Sequence, residues 1–165
     1  MNQLNFDDMK GNVFGYCGFS RPLESGAKRI VAEEHLKYLY NKGLTIRTDV
    51  ILLNSDIPYI VMDIGNLFDI FYEEVLQGKL RENTAYFFHD FAELAHCRQS
   101  SSRMNKIMTY NMVQLRKKGS YVIYNSRTFQ ELDKRVRRQS CAYDCTYGKE
   151  GIHLRRIDNG DIYCL

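Results

Sequence analysis

The order of apolar and polar residues along the chain predicts strands that alternate with helices. Short apolar runs, rich in aromatic and β-branched residues, indicate buried strands at Asn12–Cys17, Leu44–Leu53, Thr84–Asp90 and Ser120–Tyr124. Between these runs, apolar residues recur at helical spacing over 27–41, 66–76 and 103–116. This alternation predicts an α/β fold, with a mostly parallel sheet covered by helices on both faces.

The last third of the chain predicts a short helix followed by an antiparallel piece. The helix is expected at Arg127–Lys134, and strands are expected at Gln139–Tyr147 and within Gly151–Leu165. Asn159-Gly160 lies between two apolar segments and is a strong hairpin turn signal, so we expect a C-terminal β-hairpin. A length of 165 residues without an internal linker predicts one domain spanning 1–165.

Composition narrows the protein class. No apolar run approaches the roughly 18 residues of a membrane span, and the first ten residues lack a signal-peptide pattern, so we expect a cytoplasmic protein. Five scattered cysteines without a Cys-x-x-Cys pair indicate reduced thiols. A partial metal site built from Cys141, Cys145 and His153 is the alternative, although two cysteines four apart on a strand share a face in any case.

Charge is distributed unevenly along the chain. Residues 1–97 hold 9 Lys/Arg and 14 Asp/Glu, whereas residues 98–138 hold 11 Lys/Arg and only 2 Asp/Glu. A basic block of this density is typical of a surface that meets phosphate, in either a nucleic-acid backbone or a nucleotide. A solvated helix face is the alternative interpretation.

Four segments in the second half carry a family resemblance. They are 88–95 (FHDFAELA), 98–102 (RQSSS), 114–124 (QLRKKGSYVIY) and 132–137 (LDKRVR). In this order they resemble the P-loop ATPases of the zonula-occludens-toxin-like and FtsK/HerA-like kind, especially those of archaea and their viruses. The resemblance covers about 12–140. It implies a three-layer, RecA/FtsK-like fold and a protein of the kind that archaeal viruses encode.

The resemblance gives Asp90 a role at the end of the Walker B strand. There the family's acid holds magnesium through water, and a second acid usually follows to orient the attacking water. Here Phe91 follows Asp90, and Glu93 is the nearest acid that a helical turn would bring to the same site. A strand-end acid that caps the next turn is the alternative for Asp90.

The phosphate loop of the family pattern is degenerate in this sequence. Such a loop needs glycines, a lysine and a hydroxyl residue at a helix N-terminus, so that backbone N–H groups and the lysine face the phosphates. The expected nucleotide-binding residues are Ser25, Gly26 and Lys28, but Arg21 replaces the first glycine. Lys28 takes the hydroxyl position, or the lysine position after a one-residue slip. Glu24 and Pro22 also oppose phosphate binding there.

Two further roles follow from the resemblance alone. Asn125 or Ser126 lies where the family's fourth strand ends in a residue that senses the γ-phosphate. Arg135, Arg137 or Arg138 could supply an arginine finger to a neighbouring subunit. The ordinary meaning of such a basic run is a solvent-exposed helix end.

The degenerate loop favours a non-catalytic or weakly active relative of DNA-translocating or DNA-packaging ATPases. Such a protein would serve as a nucleic-acid-binding or assembly module, with a homo-oligomer or a sister ATPase subunit as partner. The expected nucleic-acid contacts are Arg116, Lys117, Lys118, Arg137 and Arg138. The alternative is a working Mg-dependent ATPase of a viral packaging or translocation machine. The cofactor is Mg-ATP in that case, and there is none if the loop has lost its function.

Another enzyme class is conceivable from His89, His96 and Cys97, which lie close together in sequence. Strict alternation along a strand would put His89 on the opposite face from Asp90. We therefore expect His89 to be a hydrogen-bonded core histidine rather than a partner of Asp90.

Overall fold

The fold is built on one nine-stranded sheet that is mostly parallel. The computed structural model describes residues 2–18, 26–53, 56–77, 81–96 and 114–165. The strands are β1 (Asn2–Gln3), β2 (Val13–Cys17), β3 (Thr45–Thr48), β4 (Ile60–Val61), β5 (Thr84–Phe88), β6 (Tyr121–Ser126), β7 (Cys141–Gly148), β8 (Gly151–Arg156) and β9 (Ile162–Cys164). Their order across the sheet is β1-β9-β8-β7-β2-β6-β5-β3-β4.

Six neighbouring strands, from β7 to β4, all run in the same direction. Their carboxyl ends therefore meet at one edge of the sheet, which is where open α/β sheets bind ligands. β6 lies between β2 and β5. It therefore separates β2, which precedes the predicted phosphate loop, from β5, which precedes Asp90. The antiparallel strands β8 and β9 extend the same sheet beyond β7.

Helices cover both faces of the sheet. α1 (Ala27–Asn41) packs on one face, where its buried residues Val31 and Leu36 meet Phe14 and Phe87. The other face carries α2 (Ile64–Leu76), the helical residues 114–118 and the short helix Lys134–Gln139. The predicted three-layer α/β architecture and the C-terminal β-hairpin are thus confirmed.

Two predicted elements were placed wrongly. The strand expected to reach Leu53 ends at Thr48, because the Thr48 side chain forms a tight turn by accepting the backbone N–H of Val50 at 2.9 Å. The helix expected at Arg127–Lys134 is only a 3-10 turn at Phe129–Glu131. The α-helix begins at Lys134, where the Asp133 side chain caps it by accepting the N–H of Arg135 at 2.8 Å.

The sheet register rules out the metal site built from Cys141, Cys145 and His153. His153 lies opposite Thr146, and so it occupies the other face from Cys145, which lies opposite Leu154. Among the residues that the structure describes, no group of three or more His, Cys, Asp or Glu side chains could hold a metal ion. In the same part of the chain, no helix is long and apolar enough to cross a membrane.

Candidate functional site

An open cleft of about 530 Å³ lies at the carboxyl ends of β2, β5 and β6, beside the first turn of α1. We call it the strand-end cleft. It is lined by Lys28, His89, Asp90, Ala92, Glu93, His96, Arg127 and Glu131. Side chains from three separate segments therefore converge at the sheet edge where the fold predicts a ligand.

Lys28 brings a positive charge to the centre of this edge. It is the second residue of α1, and its Nζ lies 3.4 Å from the carbonyl oxygens of both Gly18 and Ser126. Those carbonyls follow β2 and end β6, so the amino group spans the gap between two strand ends. A lysine at a helix N-terminus, where backbone N–H groups are also unpaired, is suited to binding phosphate.

Asp90 and Glu93 lie on one turn and face the same cleft. Asp90 precedes the 3-10 turn Phe91–Glu93, and the Glu93 N–H donates to the Asp90 carbonyl at 3.1 Å. Phe91 points the other way, is fully buried, and stacks on Tyr124 with 5.0 Å between ring centroids. The turn thus places Glu93, rather than the residue next to Asp90, on the cleft side.

The turn that carries Asp90 is fixed by Asp49, a residue that the sequence analysis did not select. Asp49 follows β3, and its two carboxylate oxygens accept the backbone N–H of His89 at 2.9 and 3.0 Å. Burial raises the pKa of Asp49 to about 6, and the negative charges of Asp90 and Glu93 add to the rise. Three carboxylates therefore lie near one another at the ends of β3 and β5.

His89 corrects the prediction from strand alternation. The strand ends at Phe88, and the chain turns at His89 and Asp90, so both residues line the cleft. Alternation holds only while the backbone stays extended. His89 is also not a hydrogen-bonded core residue, because its Nδ1 is buried without a hydrogen-bond partner in the described part of the chain. Burial, followed by the charges of Arg29 and Lys28, lowers the pKa of His89.

The end of β6 supplies the remaining polar groups. Asn125 is fully buried, and neither atom of its side-chain amide has a hydrogen-bond partner among the described residues. Ser126 donates its hydroxyl to the Thr128 carbonyl at 3.0 Å. Arg127 lines the cleft and pairs with Glu131, with 3.0 Å between Nε and Oε1. Two buried, unpaired amide atoms one residue from the Lys28 contact fit a site built for a polar ligand.

Other predicted residues either fall outside the described part of the chain or do not line the cleft. Ser25 and the preceding residues 19–24 lie outside the described residues. Gly26 is the first described residue of this segment and immediately precedes α1. Arg135 is not among the residues that line the cleft; its backbone N–H and its guanidinium face Asp133. The predicted nucleic-acid contacts Arg116, Lys117, Lys118, Arg137 and Arg138 precede β6 and β7, at the opposite edge of the sheet.

Sequence reasoning missed four residues of this site: Asp49, Arg127, Glu131 and, as a cleft residue, His89. Asp49 and Arg127 each come within one residue of a strand end on the parallel sheet, and that position was the available signal. Glu131 reaches the cleft because Phe129–Glu131 is a 3-10 turn. An α-helix was predicted over this segment, so the position of Glu131 was not foreseen.

Comparison with known proteins identifies the fold. No protein-family model matches the sequence, and no curated protein is similar to it. Among solved structures, the genome packaging NTPase B204 of Sulfolobus turreted icosahedral virus 2, in complex with sulfate, superposes with a TM-score of 0.64 at 11% identity. The match covers 93% of this chain and 96% of that one. B204 has also been solved with AMP, ATP-gammaS and AMPPCP.

Two further structures agree with this result. The N-terminal domain of zonular occludens toxin from Neisseria meningitidis matches with a TM-score of 0.59 and 12% identity, over 93% of this chain and 87% of that one. B204 from Sulfolobus turreted icosahedral virus, described as a DNA-packaging ATPase, gives 0.59 and 14%, over 93% and 97%. Identities this low establish the fold and not the activity. The chain therefore has the P-loop NTPase fold that the resemblance implied, in the form found in these viral packaging NTPases and in the toxin domain.

Proposed function

We propose that this protein binds a nucleoside triphosphate in the strand-end cleft, as a non-catalytic or weakly active relative of DNA-packaging ATPases. One observation carries the proposal: Lys28 Nζ lies between the ends of β2 and β6, in the same cleft as Asp90. In this arrangement Lys28 contacts the phosphates, and the N-terminus of α1 contributes its positive end.

The residues present also fit a magnesium ion. Magnesium keeps several waters and needs only one or two carboxylates besides the phosphates, and Asp90 offers one in the cleft. When bound, the ion would neutralise phosphate charge. The buried amide of Asn125, which has no partner among the described residues, then lies at the strand end where the phosphates arrive.

Weak or absent turnover follows from Phe91. The position after Asp90 holds a fully buried aromatic ring that cannot orient water. Phosphoryl transfer depends on positioning and on charge stabilisation, so the loss of one positioning group lowers the rate by orders of magnitude. Hydrolysis by Glu93 is the second candidate, and it is favoured by one observation: Glu93 lies on the Asp90 turn and faces the cleft.

Binding is tested by calorimetry with Mg-ATP on the full chain. We expect Lys28→Met to weaken binding about 10- to 100-fold, because a charge-assisted contact contributes about 1.5–3 kcal/mol. Lys37→Met is the matched control, since Lys37 lies on the same helix and pairs with Asp56 at 3.1 Å, away from the cleft. Equal affinities in both variants, or no binding by the natural protein at millimolar nucleotide, would refute the proposal.

A turnover assay then separates the two candidates. A non-catalytic module shows nucleotide binding without phosphate release above background. If phosphate is released, Glu93→Gln should abolish the release and leave the affinity unchanged, because Glu93 then acts on water rather than on the nucleotide. Release that survives Glu93→Gln would exclude Glu93 as the residue responsible.

A further inference from the structure

The edge of the sheet opposite the cleft carries a repeated feature. Five of the six parallel strands have a Lys or Arg three residues before their first residue: Arg138 before β7, Lys10 before β2, Lys118 before β6, Arg81 before β5 and Lys42 before β3. These five strands are consecutive neighbours in the sheet. The five basic residues, which are far apart in sequence, therefore belong to one edge. We call them the basic edge.

Backbone and side-chain hydrogen bonds connect the strand starts at this edge. The Asn12 side chain donates to the Ser120 carbonyl at 2.9 Å and joins the starts of β2 and β6. The Asn83 N–H donates to the Lys118 carbonyl at 3.1 Å, and the Thr45 N–H donates to the Asn83 carbonyl at 2.9 Å. These contacts join the starts of β6, β5 and β3 into one continuous surface.

Three of the five basic-edge residues pair with acids, and two have no ion-pair partner in the described part of the chain. Neither Lys10 nor Arg138 forms an ion pair with any residue that the structure describes, and both are exposed. Lys42 and Lys118 pair with the exposed acids Asp7 and Glu82. Arg116 and Lys117 are also exposed and add two charges beside Lys118. Only Arg81 is held by an inner carboxylate, that of Glu74.

Helix ends account for only part of this arrangement. A basic residue at a helix C-terminus is favoured by the helix dipole, which explains Lys42, Lys118 and Arg138. It does not explain Lys10, which precedes β2 and follows only the 3-10 turn Phe6–Asp8. Strands in a sheet lie about 4.8 Å apart, so five neighbouring strands span about 19 Å. Each strand of duplex DNA carries one phosphate per about 3.4 Å of helix axis, so that length along the axis matches five or six phosphates of one strand.

We propose that the basic edge binds a nucleic-acid backbone, independently of base sequence and on the opposite side of the sheet from the nucleotide. Within the basic edge, the contacts come from Lys10, Lys42, Lys118 and Arg138, with Arg116 and Lys117 beside them. Arg81 makes none, because it is paired with Glu74. Arg137 is not part of it, because its Nε donates to the Leu132 carbonyl at 3.1 Å. The two ligands use different edges, so neither displaces the other.

The test measures fluorescence anisotropy of labelled 20-nucleotide single-stranded and duplex DNA over a range of salt concentrations. Each phosphate contact on duplex DNA contributes about −0.9 to the slope of log K against log salt. The Lys10→Gln/Arg138→Gln variant should make the slope shallower by about 2. Lys37→Gln/Lys149→Gln is the matched control, because it removes the same net charge from α1 and from the β7–β8 turn.

The outcomes separate cleanly. A shallower slope in the basic-edge variant alone, with an affinity that changes less than twofold when Mg-AMPPCP is added, supports the proposal. Equal slopes in both variants, or absence of DNA binding at 50 mM salt, would overturn it. Binding to phosphatidylserine vesicles but not to DNA would assign the edge to a membrane surface and would also overturn it. None of these results depends on nucleotide binding in the cleft, and circular dichroism confirms that each variant is folded.

Discussion

The carboxylate of Asp49 accepts the backbone N–H of His89 with both oxygens, at 2.9 and 3.0 Å, and so connects the end of β3 to the turn that carries Asp90. Asp49→Ala would leave this N–H unpaired. We expect the free energy of unfolding to fall by about 1–3 kcal/mol and Mg-nucleotide affinity to fall with it, because the turn relaxes. Urea unfolding and calorimetry measure the two effects.

Asp49→Asn is the matched control for that prediction. The amide oxygen can still accept the His89 N–H. The variant lacks the carboxyl group, whose pKa is raised to about 6 in the natural protein. A raised carboxylate pKa means that ionisation opposes folding above that pKa. Asp49→Asn should therefore be as stable as the natural protein at pH 7, or more stable. Equal losses in the Ala and Asn variants would contradict the role given to the hydrogen bond.

His35 should make the protein sensitive to acid. It is buried, its Nδ1 lies 2.7 Å from the Tyr16 hydroxyl oxygen, and burial lowers its pKa from 6.5 to about 3. Below pH 6.5 the unfolded chain binds a proton that the folded chain does not, so stability falls as the pH drops toward 3. The expected slope from His35 is about 1.4 kcal/mol per pH unit. His35→Gln should remove it.

The measurement is urea unfolding of both proteins between pH 6.5 and pH 5. Asp49 also changes stability over this pH range, with a sign opposite to that of His35. Its contribution is the same in both proteins, so the difference between their slopes isolates His35. Parallel slopes for His35→Gln and the natural protein would show that His35 is not the source of the acid sensitivity.

The buried pair of Arg47 and Glu74 should be costly to break. Arg47 on β3 is 6% exposed, and its guanidinium lies 3.4 Å from the Glu74 carboxylate on α2. Tyr86 also donates its hydroxyl to Glu74. Glu74→Ala leaves the arginine charge buried without a partner, so we expect a loss of about 3–5 kcal/mol in unfolding free energy.

Two variants check this expectation. Glu73→Ala, one residue away and exposed, should change stability by about 0.5 kcal/mol at most. Adding Arg47→Met to Glu74→Ala should recover most of the loss, since the unpaired charge is then removed. No recovery in the double variant would mean that Glu74 stabilises the fold through contacts other than Arg47.

Gly15 on β2 provides the space for the Tyr124 ring on β6. A Cβ at this position would lie within 2.5 Å of Tyr124 ring atoms. We expect Gly15→Ala to cost about 1–3 kcal/mol by overpacking, measured by thermal denaturation. Gly65→Ala, at an exposed position in α2, should be neutral or stabilising because alanine favours helix. Adding Tyr124→Leu should relieve the clash, and strictly additive losses would contradict this cause.

Local sequence determined the type and position of several elements. The helix over 27–41 and the strand at 13–17 are present as predicted. Both could be predicted because the spacing of apolar residues within a segment indicates its secondary structure. Asp90 at the end of a buried strand and Asn159-Gly160 in a hairpin turn are likewise local signals. Apolar periodicity also predicted the α/β class, and the resemblance carried by the segments between 88 and 137 specified the P-loop NTPase fold within that class.

Only the tertiary structure decided which of these residues meet. His89 faces the cleft because β5 ends at Phe88 and the chain turns there. Asp49, forty residues earlier, stabilises this turn by accepting the His89 N–H. Lys28 reaches Ser126 because β6 inserts beside β2, and the basic edge exists because five strands lie side by side. Each relationship depends on the order of strands across the sheet. That order follows from long-range packing, whereas periodicity reports only the environment of each segment.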